Sequence, residues 1–86
     1  MKFLHFQVTA GPGKVIRVLI NNPANVWLMD SVSFQKYKMK KTVTCTGGRY
    51  ATSPVDFRPP HKATWHVVVD TDGLVNDVTA SVKVLS

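Results

Sequence analysis

One stretch constrains the fold more than any other: ATWHVVVD, residues 63–70. It is rich in β-branched and aromatic residues, which suit a pleated, half-buried surface. Side chains alternate across a strand, so Trp65, Val67 and Val69 share one face and His66 lies on the other. DVTASVKVL (77–85) alternates in the same way, setting Val78, Ala80, Val82 and Val84 inward and Thr79, Ser81 and Lys83 outward. KVIRVLI (14–20) puts Ile16, Val18 and Ile20 on one face and Val15, Arg17 and Leu19 on the other, so both faces are partly covered. Shorter strands are expected at FLHFQV (3–8), VWLM (26–29) and KTVTCT (41–46). YATSPVDF (50–57) is a weaker one, with Pro54 at an edge or bulge because it cannot donate to a ladder. Turn signals separate these runs: AGPG (10–13), NNPAN (21–25), GGR (47–49), RPPHK (58–62) and TDG (71–73). About seven short strands with frequent turns is the spacing of a sandwich or barrel.

The expected fold is therefore all-β, a small two-sheet sandwich or β-prism-like domain with one short helical turn near 31–38. Its expected core includes Phe3, Phe6, Ile16, Val18, Ile20, Leu28, Phe34, Trp65, Val67, Val69, Val78, Ala80, Val82 and Val84. All five acids are Asp and none is Glu, a strong helix former, which argues against a helical bundle. Residues 1–86 make one domain, and 44% hydrophobic residues argue against disorder. Cys45 is the only cysteine, so an intramolecular disulfide is excluded. The first residues are too short and too polar an apolar run for a signal-peptide core, and no segment approaches a membrane span. The chain reads as soluble and cytoplasmic. Its formal charge of +6 raises the odds of an anionic partner, although such a charge also serves solubility alone.

The helical turn is read from ANVWLMDSVSFQKYKMKK, residues 24–41. Asp30 or a neighbouring Ser can accept from the orphaned N–H groups at a helix start. Phe34 and Tyr37, three residues apart, then share a face and pin the turn to the sheet, while Lys36, Lys38, Lys40 and Lys41 point to water.

NVWLMDSVSFQKYK, the GG and SPV steps within 47–55, WHVVVD and ASVKVL together resemble a small bacterial family, the domain-of-unknown-function family eighteen eighty-three. Its members resemble one another in a Leu-Met-Asp step before an aromatic pair, a Gly-Gly step before Ser-Pro-Val, a Trp-His-Val-Val strand and a closing Ala-Ser-Val strand. The resemblance spans nearly the whole chain and implies a compact all-β fold of two sheets, similar to a β-prism. Some relatives carry the domain beside a Toll/interleukin-receptor-like domain, which implies a recognition or adaptor module. The family has no established activity or catalytic residues. DTDGLVNDV (70–78) lacks the glycine-rich, arginine-bearing loop associated with the family there.

Several residue sets could carry chemistry. Lys36, Lys38, Lys40, Lys41 and Arg49 with Tyr37, Tyr50 and Trp27 could form a phosphate-facing surface, the lysines releasing counterions and the aromatics stacking bases. Solvated lysines and packed aromatics would give the same pattern. His66 could pair with Asp70 or act as a base for Cys45, but no oxyanion site or pocket is signalled and a packed histidine with a buried thiol is the plainer reading. His5, His61 and His66 have no paired metal-ligand spacing. AGPGK (10–14) is a hairpin turn rather than a phosphate loop, since a strand follows it. Trp27, Asn25, Asp70, Asp72 and Asn76 are of the types that meet sugars at loop ends, and equally of the types found in turns. Open sheet edges and the two-sided strand 14–20 could support a homo-oligomer.

The leading expectation is a non-enzymatic recognition or protein-interaction domain, without cofactor or metal, for an unknown protein or anionic ligand. The alternative is an electrostatic nucleic-acid binder that uses the basic-aromatic loop 36–50. No membrane role is expected.

Overall fold

The stretch 63–70 is the strand that organises the molecule. In the computed structural model, which describes residues 2–71, 73 and 77–86, it forms β6 (Ala63–Asp70). Seven strands and one helix are present among the described residues. β6 sits between β1 (Phe3–Ala10) and β3 (Ala24–Asp30), and β4 (Thr46–Tyr50) closes this four-stranded sheet in the order β1-β6-β3-β4. The second sheet has the order β5-β2-β7, from β2 (Val15–Ile20), β5 (Val55–Phe57) and β7 (Ala80–Leu85). All pairings are antiparallel. The helix, α1 (Ser31–Lys38), lies on the outer face of the four-stranded sheet, against β3 and β6.

Between the sheets lies the main core. Ile16 and Val18 of β2 meet Val26 and Leu28 of β3, Trp65, Val67 and Val69 of β6, and Phe57 of β5. Trp65 does more than fill space. Its indole N–H lies 3.2 Å from both the Ala10 and the His61 carbonyl oxygens, tying the end of β1 to the loop before β6. A second, smaller core of Met29, Phe34 and Val68 lies between the sheet and α1. Residues Trp65 to Val69 are therefore buried without alternation, one face by the opposite sheet and the other by the helix.

The two-sheet, all-β reading holds. Of the expected core, Ile16, Val18, Ile20, Leu28, Phe34, Trp65, Val67, Val69 and Val78 are buried, while Phe3, Phe6, Ala80 and Val82 are half-buried. Val84 departs from expectation and is exposed. It lies opposite the fully buried Ile16 but on β7, an edge strand, where it lines a cleft of about 310 Å³ with Ala10, Pro12, Lys14 and Lys62. The expected strand 41–46 does not form. The strand begins at Thr46 and runs through the Gly47-Gly48 step that reads as a turn. Pairing decides this: Gly47 stands opposite Trp27 at φ 135°, where a Cβ would overlap the Val26 carbonyl oxygen, so only glycine permits the approach. Pro54 does sit beside an edge strand, β5. The expected strand 77–85 shortens to β7, and Asp72 and Asn76 lie outside the described residues.

Candidate recognition surface at the end of helix α1

Helix α1 starts where β3 ends. Asp30 is its N-cap, and its carboxylate accepts from the Ser33 N–H at 2.8 Å. That hydrogen bond is the main reason the Asp30 carboxyl lies below the ordinary carboxylate range. Phe34 is the buried residue of the helix, and Tyr37, one turn on, meets Phe3 edge-on with ring centroids 5.3 Å apart. Both residues pin the helix to the sheet, as their spacing requires.

The helix ends in a tight C-cap. The Lys41 N–H donates to the Lys36 carbonyl at 2.9 Å and the Lys40 N–H to the Tyr37 carbonyl at 3.0 Å. This is the Schellman pattern, in which the residue after the cap takes the left-handed conformation and is usually glycine. Here it is Lys40, at φ 60°. Lys36, Lys38, Lys40 and Lys41 are all exposed around this cap. The Lys38 ammonium lies 4.9 Å from the centre of the Phe34 ring. The helix dipole favours cations at this end.

Charge is concentrated here. Eleven basic residues against five acids give +6, and five of the basic residues (Lys36, Lys38, Lys40, Lys41 and Arg49) fall within residues 31–55, which contain no acid. Elsewhere six basic residues face five acids. The ion pair of Arg17 with Asp56, at 2.8 Å, lies on the other sheet. Each of its two members holds the other in its charged form, chiefly by their hydrogen bond.

The aromatic residues expected beside these lysines are distributed differently. Trp27 and Tyr37 pack half-buried against the Met29–Phe34–Val68 cluster. Tyr50 turns through the sheet to the main core and meets Phe57 edge-on, at 6.4 Å between centroids. Arg49 is exposed on β4, opposite Asn25. Asn25 in turn lies opposite Asp70, so Arg49, Asn25 and Asp70 form one row on the outer face, with Trp27 two residues along β3. The sheet thus gathers three of the sugar-type residues that the chain spreads over 46 positions.

His66 engages neither Asp70 nor Cys45 among the described contacts. Its ring nitrogens meet Ser31 and His5 instead. Cys45 is half-buried, and that burial pushes its thiol up, away from the thiolate a nucleophile needs. The contact with His5 is not legible in the sequence, because the two histidines are 61 residues apart and only the pairing of β1 with β6 brings them together. Among the described residues, no three His, Cys, Asp or Glu side chains gather as a metal would require. No helix among them is long and apolar enough to cross a membrane. The glycine-lysine turn is not a phosphate loop, but neither does it close a hairpin: the Lys14 N–H donates to the Gly11 carbonyl at 3.1 Å, while the strands it joins, β1 and β2, lie in different sheets.

The family model described as Domain of unknown function (DUF1883) matches residues 1–86, the whole chain. The chain belongs to the DUF1883 family. No curated protein and no solved structure matches it. In this DUF1883 domain, the motifs behind the resemblance hold structural positions. Leu28-Met29-Asp30 ends β3 and caps α1, Gly47-Gly48 forms the close approach of β4 to β3, Pro54-Val55 enters β5, and Trp65-His66 lies under the helix and between the sheets.

Proposed function

We propose that this DUF1883 domain is a non-enzymatic recognition module, and that it docks an acidic protein surface on the lysine-rich end of α1. One observation carries the reading: Lys36, Lys38, Lys40 and Lys41 are exposed around a single helix cap, in a stretch of chain without an acid. A left-handed position occupied by lysine where glycine fits more easily supports it, because strained backbone persists where something else favours the side chain. A protein partner is favoured over nucleic acid by the orientation of the aromatics. Trp27, Tyr37 and Tyr50 are half-buried, with their rings packed against the two cores, which favours a surface that reads charge over one that stacks bases.

The test is a two-dimensional NMR titration of isotope-labelled protein with a short poly-glutamate peptide and, separately, a mixed-sequence oligonucleotide, at low and moderate salt. The peptide is expected to shift residues 36–41, and the effect should shrink as the Debye length falls toward about 10 Å near 0.1 M salt. Lys36→Glu with Lys38→Glu should abolish it. A response to the oligonucleotide alone would transfer the site to nucleic acid. No response to either would remove the lysine surface from the function.

A further inference from the structure

Two histidines share the outer face of the four-stranded sheet beside α1: His5, exposed on the edge strand β1, and His66, buried on β6. His66 Nδ1 lies 2.8 Å from His5 Nε2, and His66 Nε2 lies 2.9 Å from Ser31 Oγ at the start of the helix. The two ring centroids are 5.0 Å apart and the planes differ by 14°, so the rings lie side by side, joined through that short nitrogen–nitrogen contact. Phe34 lies flat across both. Its ring is 4.0 Å and 17° from His5, and 4.7 Å and 9° from His66. The histidine pair is thus the seat for the one buried side chain of α1.

A nitrogen–nitrogen contact this short requires one proton between the two atoms, with one ring donating and the other accepting. A neutral pair satisfies it. A singly protonated pair satisfies it too, with an imidazolium donating to an imidazole. A doubly protonated pair cannot, because N–H then faces N–H and two cations stand edge to edge.

We propose that His5 and His66 form a proton-operated latch, which seats Phe34 and holds α1 on the sheet until both rings are protonated and then releases the helix.

The groups around the pair fix the direction. From α1, the Lys38 ammonium opposes protonation of both rings. From the end of β3, Asp30 favours protonated His66, but its carboxylate is engaged by the Ser33 N–H. His61, before β6, acts on Asp30. Cys45 packs against the same cluster as a neutral thiol. Partial desolvation first and then Lys38 hold the largely exposed His5 below its ordinary value of 6.5. Burial, then His5, then Lys38 do the same to His66, against Asp30. Release therefore belongs below about pH 6.5, in the range where histidine switches operate. α1 carries Lys36 and Lys38, so release disperses the lysine surface; that consequence rests on the function proposed above, whereas the latch does not.

The test is an NMR pH titration of the whole chain from about pH 7.5 to about pH 4.5. It follows the histidine ring resonances, the amides of Ser31–Lys38 and the amides of β2, β5 and β7. In the wild type, the helix amides should shift and lose exchange protection together as the second ring protonates, while the three-stranded sheet stays protected. His5→Gln keeps a hydrogen-bonding group but cannot titrate, and should remove the transition from this range. The latch is refuted if both rings protonate with the helix unmoved, if His5→Gln shows the same transition, or if both sheets unfold in step with the helix. Poly-glutamate binding at the neutral end of the titration tests the lysine surface separately, so each idea can fail without the other.

Discussion

Replacing Lys40 with glycine should make this protein more stable and a poorer binder at once. A non-glycine residue in the left-handed region carries a penalty of about 1–2 kcal/mol, and Lys40 sits there at φ 60°. Glycine removes that penalty but leaves a more flexible unfolded chain, at a cost of about 0.5–1 kcal/mol. The hydrogen bonds of the cap are backbone bonds from Lys40 and Lys41 to Tyr37 and Lys36, so the substitution keeps them. The net expectation for Lys40→Gly is stabilisation by about 0.5–1 kcal/mol, which for a domain of this size raises Tm by about 3–6 °C. Lys40→Ala is the control, since alanine suffers the same backbone strain and removes the same charge. It should leave Tm nearly unchanged and weaken poly-glutamate binding as much as glycine does. Thermal melts followed by circular dichroism, with NMR titrations, read both quantities. If Lys40→Gly melts at or below the wild-type temperature, the residue is not strained and its conformation says nothing about selection for lysine. If stability rises but binding holds, the strain is real and Lys40 is not part of the surface.

Three further outcomes follow from the packing. His5 and His66 are held below 6.5 in the folded state, so between those lowered values and 6.5 the unfolded chain binds more protons than the folded one. Stability from this source is full above about pH 6.5 and declines as pH falls below it, and the urea midpoint should drop between neutral and mildly acidic buffer by less in His5→Gln than in the wild type. Gly47→Ala should cost about 3 kcal/mol or more in urea unfolding, because strain at φ 135° adds to overlap with the Val26 carbonyl; Gly48→Ala, at φ 156° with open space where its Cβ would go, should cost less. Phe34→Ala should cost about 3 kcal/mol, with hydrogen exchange rising most over Ser31–Lys38, and equal exchange gains in both sheets would refute the separateness of the small core.

The sequence by itself determined the strands whose pattern is strong, the cap and the anchors. β6 matches its alternating stretch residue for residue, because a run of β-branched and aromatic residues fits little else. Asp30 as N-cap and Phe34 with Tyr37 as pins follow from local geometry that three or four residues contain. Tertiary structure decided the rest. β4 runs through Gly47-Gly48, where Gly47 meets β3 too closely for any Cβ, and the sequence records the glycines but not the partner. Val84 keeps the right alternation and remains exposed, because β7 is an edge strand and Val84 borders a surface cleft. The meeting of His5, His66 and Ser31, and of Arg49, Asn25 and Asp70, depends on which strands lie side by side. Antiparallel pairing between distant strands is set by the packing of the whole core, and no local run of residues encodes it.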